Sequence, residues 1–389
     1  MKILVNIVSK QAAPTYFAYT SIKPDKMIYV YSNDTKNEMT WLKTMWSGKC
    51  LESIIADPFK YEDCHKMATE ILVKYINDEL ILNFTGGTKI ISIAFFNAFF
   101  SAGKRNVYID SQNHRILSVL KDEIKYDELI PEIDITTHLG LYGKRFKAGG
   151  HKINPKEANN RKLFEKYISG NFQFFGGTLM LPYAQKRSAE KEWKFDKKNQ
   201  NILPRIDVHT TEETMKRITG SNIQYNAADQ KVTLELNNLS DKQIFYISGR
   251  DANDYICGEW YESYLVSKFT ETGLFSDIKH NIKILYSDSA SPNNPEFQID
   301  IAALKGDVLY IFEVKTGNFR QESINKLTAV KEFVGGTYAV PIIISYFKNY
   351  DSNLLKKAED HNIDCITNET IDNFLEELKN PINAQNIRT

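Results

Sequence analysis

Short runs rich in β-branched and aromatic residues recur through the first 110 residues, at 2–8 (KILVNIV), 26–31 (KMIYVY), 79–84 (ELILNF) and 106–110 (NVYID). Between them lie longer stretches at 33–46, 63–76 and 90–102 with apolar residues at helical spacing. A strand followed by a crossover helix returns to a parallel neighbour, so the pattern predicts an α/β fold with a doubly wound parallel sheet. In such a sheet the ligand crevice lies beyond the carboxyl ends of the strands, where loops run into helix N-termini.

Two loops stand at that position. After the first strand comes Ser9-Lys10-Gln11, followed by Ala12-Ala13-Pro14. After the strand at 79–84 comes Thr85-Gly86-Gly87-Thr88-Lys89, leading into a helix near Ile90. Glycines admit a phosphate close to the backbone, the helix start presents unpaired N–H groups, and Thr88 and Lys89 add a hydroxyl and a charge. The segment is neither a Walker A loop nor a G-x-G-x-x-G fingerprint. Gly-Gly-Thr recurs at 176–178 and 335–337, and a plain turn is the alternative reading.

The chain has 389 residues, 42% of them hydrophobic and 25% charged, enough apolar mass for two to three domains and too much for a disordered or fibrous protein. Cys50, Cys64, Cys257 and Cys365 are widely spaced, with no C-x-x-C pair, which fits reduced thiols better than a zinc site or a disulfide framework. The start MKILVNIVSK turns polar too soon for a signal peptide, and the apolar stretch from Ile90 to Phe100 is broken by Ser92 and Asn97. A soluble cytoplasmic protein with no membrane partner is expected.

Overall neutrality conceals three zones. Residues 1–139 carry 16 basic and 17 acidic side chains, residues 140–205 carry 15 and 5, and residues 206–389 carry 18 and 27. The middle block suits contact with a polyanion, or else is a solvated helical surface. Its basic residues interleave with aromatic ones from Lys144 to Lys198, a pattern of stacking contact or of a small core. Helical spacing appears at 159–168 and 211–219 and strand spacing at 232–236 and 243–247. The division expected is residues 1–130, a basic connector or dimerisation region at 131–249, and residues 250–389.

The run from Glu296 to Lys315, EFQIDIAALKGDVLYIFEVK, reads as a β-hairpin turning between Gly306 and Asp307. Facing residues then have numbers that sum to 613, which sets Asp300 opposite Glu313. Carboxylates whose Cβ atoms lie roughly 4.5–5.5 Å apart repel unless a cation joins them, and Mg²⁺ or Mn²⁺ prefers such oxygen ligands. Lys315 shares the face of Glu313. Acid, acid and lysine on one face suit metal-dependent phosphodiester hydrolysis, with Lys315 orienting a water and offsetting phosphate charge. In Cys257–Leu265 (CGEWYESYL), Glu262 falls at the rim of the apolar stripe and Glu259 nearly opposite it, so Glu262 is the candidate to reach the metal. The alternative is an ordinary solvent-facing hairpin beside a solubilising glutamate.

A sheet carrying Thr85-Gly86-Gly87-Thr88-Lys89 in this place resembles the CRISPR-associated Rossmann fold (CARF) sensor domain. The hairpin sequence resembles the core of the PD-(D/E)xK nuclease superfamily, whose fold is that of restriction endonucleases, and Gly258–Leu265 (GEWYESYL) is similar to the helix that opens that domain. In this order they resemble the CRISPR ancillary nucleases of type III systems. The resemblance covers about 1–130 and 250–389. It implies a homodimer whose paired CARF domains bind cyclic tetra-adenylate through the 85–89 segment and the 9–11 loop, activating a nuclease for DNA and/or RNA. Asp300, Glu313 and Lys315 match the D…E-x-K motif and Glu262 the helical Glu. Gln298 departs from the pattern, standing where relatives often carry a second acid.

Two rivals are open. A HEPN-type ribonuclease would need an R-x(4–6)-H helix; the match from Arg145 to His151 contains Gly149-Gly150, which disfavours a helix. A ligand-responsive CARF-type DNA-binding regulator would read DNA with the basic connector and leave Asp300 and Glu313 as inert surface charge.

Overall fold

The computed structural model describes residues 1–110, 115–128, 133–148, 155–184, 200–202, 211–226, 228–239, 241–249, 251–286, 297–347 and 351–379. Strands β1 (Lys2–Ile7), β2 (Lys26–Tyr31), β3 (Cys50–Ile55), β4 (Glu79–Asn83) and β5 (Arg105–Asp110) run parallel in the order β3-β2-β1-β4-β5. Two antiparallel strands, β6 (Arg115–Val119) and β7 (Ile124–Glu128), extend the sheet past β5.

Helices α1 (Ala13–Ile22) and α2 (Lys36–Met45) cover one face, packing Phe17 and Leu42 on Leu4, Tyr29 and Ile81. Helices α3 (Tyr61–Lys74) and α4 (Lys89–Ser101) cover the other, packing Ile71, Phe95 and Phe99 on Val5, Ile28 and Leu82. Burial on both faces explains why these strands read as continuous apolar runs. The doubly wound sheet is as expected from the sequence, with α1, β6, β7 and β3 added. That strand, CLESII, carries Glu52 and Ser53 and lies half-buried at the sheet edge.

Next come α5 (Ile135–Leu141), β8 (Lys144–Ala148) and α6 (Pro155–Phe175). Asp134 caps α5 by accepting the Thr137 N–H at 2.6 Å. A small antiparallel sheet follows, β9 (Gln200–Ile202), β10 (Asn222–Asn226), β11 (Lys231–Asn238) and β12 (Asp241–Ser248), with α7 (Glu212–Ile218) before β10. In this basic, aromatic region Phe164, Phe172, Phe175 and Tyr183 are fully buried, so these rings build a core. Trp193, Phe195 and His151 lie outside the described residues.

The third sheet combines β8 with β13 (Asp277–Tyr286), β14 (Phe297–Lys305), β15 (Val308–Lys315), β16 (Ala339–Ser345) and β17 (Asp364–Thr367), in the order β17-β16-β15-β14-β13-β8. Helices α8 (Trp260–Thr272) and α11 (Ile371–Lys379) pack on one face, and α9 (Gln321–Val334) and α10 (Ser352–Asp360) on the other. Thus β8, from the expected connector, forms an edge of the C-terminal sheet, antiparallel to β13.

The two large sheets share one core: Leu139 and Leu141 of α5 join Phe17 of α1 and Leu42 of α2 on the first sheet to Ile282, Ile299 and the α9 residue Leu327 on the third. Beside it Lys144, 7% exposed, points its ammonium at the rings of Trp41, Tyr286 and Phe333, 5.7, 3.7 and 3.9 Å from their centroids. Gly143 (φ 67°) lies flat on Trp41; a Cβ there would sit 2.2 Å from the indole. All four cysteines are free. Among the described residues no helix is long and apolar enough to cross a membrane.

Candidate functional site

The β14–β15 ladder runs from Lys305↔Val308 to Ile301↔Phe312, so the next opposed positions are Asp300 and Glu313. Regular pairing stops there, and the Asp300 carboxylate takes over as acceptor: its Oδ2 receives the Val314 N–H at 2.9 Å. On its other side β13 bends at Asn281 (φ 46°), between the pairs His280↔Ile301 and Ile282↔Ile299. Asp300 and Glu313 are only 8% and 4% exposed. Two lysines reach them. Lys315 Nζ donates to Glu313 Oε1 at 2.7 Å and lies 3.8 Å from Asp300 Oδ2. Lys326 Nζ donates to Glu313 Oε2 at 2.5 Å and lies 3.6 Å from Asp300 Oδ1.

Glu262 stands in the first turn of α8, a turn that the wholly buried Trp260 anchors in the core. Burial, then Asp300, Glu259 and Glu313, push its carboxyl up to about 8, with Lys315 opposing them. Burial and the neighbouring Glu313 also raise Asp300. Burial works the same way on Glu313, but the Lys315 and Lys326 ammonium groups outweigh it and hold its carboxyl below the usual range. The same acids raise Lys315 against the effect of burial. A cavity of about 440 Å³ opens beside Glu262, lined also by Arg161, Lys162, Glu259, Ser263 and His280. Gln298, by contrast, is exposed and donates to Asn281 Oδ1 at 3.0 Å.

The other predicted residues meet at the carboxyl edge of the first sheet, where β1 and β4 are neighbours and the strand order reverses. Ser9 Oγ donates to the Gln11 carbonyl at 2.8 Å, and a Cβ on Gly86 would lie 3.3 Å from that of Ser9, so the two loops touch. Gly86 is required by the end of β1, since its Cβ would sit 2.1 Å from the Ile7 carbonyl oxygen. Gly87 has φ 84°. Thr85 is an internal staple, donating to Asn83 Oδ1 at 2.7 Å and accepting the Ile109 N–H at 2.8 Å. The Thr88 hydroxyl donates to the Pro58 carbonyl at 2.6 Å, so it leaves the start of α4 without a side-chain cap. Lys10 and Lys89 are exposed at the crevice.

Two family models match the chain: that of the Card1 CARF domain over residues 3–138, and that of the Card1-like endonuclease domain over residues 249–385. The chain belongs to the CRISPR ancillary nuclease family. Solved structures share the fold of this family member. Can2 from Sulfobacillus thermosulfidooxidans, in complex with cyclic tetra-adenylate, is 20% identical with a TM-score of 0.69, over 98% of this chain and 100% of that one. VC1899 from Vibrio cholerae is 14% identical with a TM-score of 0.70, over 98% and 97%. A type III CRISPR defence DNA nuclease activated by cyclic oligoadenylate is 15% identical with a TM-score of 0.50, over 88% of this chain and 45% of that one. No curated protein matches by sequence.

In this CRISPR ancillary nuclease the acids suit a hard divalent cation: their donors are oxygens, and those of Asp300 and Glu313 are buried and face one another. Among the described residues no three His, Cys, Asp or Glu side chains gather into a metal-holding group. The chain therefore offers Asp300 and Glu313 together, with Glu262 within electrostatic reach, as the residues that would hold such a cation. Lys326 went unnoticed in the sequence because it belongs to no motif. The available signal was its place on α9, where it lies at the rim of the buried stripe of Ser323, Leu327 and Val330.

Proposed function

We propose that the protein is a cyclic tetra-adenylate-activated, Mg²⁺- or Mn²⁺-dependent endonuclease of type III CRISPR defence, acting on DNA and/or RNA as a cytoplasmic homodimer. Residues 1–130 form the sensor, 131–249 the connecting and dimerising region, and 250–389 the nuclease. The observation that carries this reading is the convergence of buried Asp300 and Glu313 with Lys315 across one pair of strands.

Asp300, Glu313 and Glu262 hold the metal or its water. A divalent cation bound there polarises a phosphodiester and acidifies water. Lys315, kept charged by the two acids, is the group that offsets phosphate charge and orients the attacking water. In the sensor, Lys10 and Lys89 supply charge to the cyclic nucleotide. Gly86, Gly87 and the uncapped start of α4 supply backbone N–H groups, with Ser9, Gln11, Thr85 and Thr88 shaping the loops. Two copies would present paired helix starts to a four-phosphate ring. The regulator alternative needs Asp300 and Glu313 as inert surface charge, and their burial argues against it.

The test is a cleavage panel of single-stranded RNA, single-stranded DNA and supercoiled plasmid, with and without cyclic tetra-adenylate, in Mn²⁺ or EDTA. Cutting is expected only with activator and metal. Glu313→Ala should lower it at least about a hundredfold while leaving activator binding intact. Undiminished cutting by that variant removes the assignment.

A further inference from the structure

Three groups, the Val314 N–H, Lys315 and Lys326, share the four carboxylate oxygens of the Asp300–Glu313 pair. Asp300 Oδ2 is taken by the Val314 N–H at 2.9 Å, and Glu313 Oε1 by Lys315 at 2.7 Å. That leaves Asp300 Oδ1 and Glu313 Oε2 as the oxygens with which the two acids could jointly grip a cation. Those are the two that Lys326 Nζ spans, at 3.6 and 2.5 Å.

We propose that Lys326 is an internal counter-ion that competes with the divalent cation for Asp300 and Glu313, and so sets the metal concentration at which the site fills. The inference rests on the metal-dependent reading given above. An ammonium and a divalent cation drawn to the same pair of oxygens repel each other at close range, so metal entry favours withdrawal of Lys326. The side chain is built to leave: it is 30% exposed, on a flexible four-carbon stem, at the rim of a helix anchored by Ile324 and Leu327. Lys315 differs, since its strand position keeps it beside Glu313 and its own oxygens lie on the other side of the pair. Without metal, Lys326 keeps two buried carboxylates from facing each other unscreened.

The experiment is a Mn²⁺ titration of the full chain, followed by the paramagnetic resonance of free Mn²⁺, with unfolding midpoints measured in EDTA and at saturating Mn²⁺. Lys326→Met keeps the stem and removes the charge. It should bind Mn²⁺ at least tenfold more tightly than the wild type and unfold earlier in EDTA, with the gap closing as Mn²⁺ saturates. Lys326→Arg, which keeps the charge, should bind no more tightly than the wild type. A Lys326→Met protein that loses stability in EDTA yet binds Mn²⁺ no more tightly has lost a structural lysine, and the inference falls. If that variant does not fold, Lys326→Gln takes its place under the same criteria. Glu313→Gln separates the two readings. If it leaves Mn²⁺ binding unchanged, the metal site itself is refuted; if it abolishes binding while Lys326→Met does not tighten it, Lys326 alone is refuted.

Discussion

Glu262 sits where a carboxylate is least welcome, half-buried and near three other acids, and its carboxyl is pushed up to about 8 from the 4.5 of a free glutamate. A carboxyl raised on folding favours the protonated native state, so its contribution to stability is full below pH 4.5 and lost as pH rises through about 8. In EDTA the wild-type unfolding midpoint should therefore fall more steeply over that window than that of Glu262→Gln. Parallel pH profiles would refute the burial of an ionisable Glu262. At this scale the facing acids were legible, because strand pairing has a fixed arithmetic: the observed pairs sum to 613, as the position of the Gly306-Asp307 turn required. Two details were not. The Val314 bond to Asp300 depends on where the ladder stops, and Lys326 comes from a helix whose side-chain reach no strand register reports.

Elements were legible where apolar periodicity was unbroken. The strands β1, β2, β4 and β5 and the helices α2, α3 and α4 lie in the sequence as clear periodic patterns, whereas α1 went unread behind the Ser9–Pro14 loop and β3 mixes Glu52 and Ser53 into an edge strand that needs no second buried face. The Gly86-Gly87 loop was read for its position correctly, but its glycines answer first to packing: Gly86 against the Ile7 carbonyl, Gly87 in the left-handed region. Charge and backbone roles in this loop can be pulled apart. Lys89→Ala should weaken cyclic tetra-adenylate binding about tenfold with an unchanged unfolding midpoint, because Lys89 is exposed. Gly86→Ala should lose affinity and also about 1–3 kcal/mol of stability, as the added methyl must move β1 or the loop. Calorimetric titration and thermal melts on both variants check this; an unchanged affinity in Lys89→Ala removes the lysine from the phosphate cradle.

Across the whole molecule, the CARF and endonuclease sheets meet through α5 and the Trp41–Gly143–Lys144 contact, within one continuous apolar core. A shift of α2 on ligand binding would press through Trp41 onto Gly143 and on to Lys144, whose ammonium touches rings of β13 and α9. Trp41→Ala should accordingly keep activator binding while losing at least about tenfold of activator-stimulated cleavage. Full stimulation in that variant would place the coupling elsewhere. None of this junction could be seen from the chain alone, since it joins residues of helix, turn, strand and helix that share no local pattern.

The placement of β8 sets where this protein can be divided. The endonuclease match begins at residue 249, yet the outermost ribbon of its sheet is residues 144–148, bound along β13. A polypeptide starting at 249 would carry β13 with a naked row of N–H and C=O groups, an invitation to stick to its own copies. The C-terminal half is thus no detachable module, and its cutting edge stays tethered to the segment that leaves the sensor.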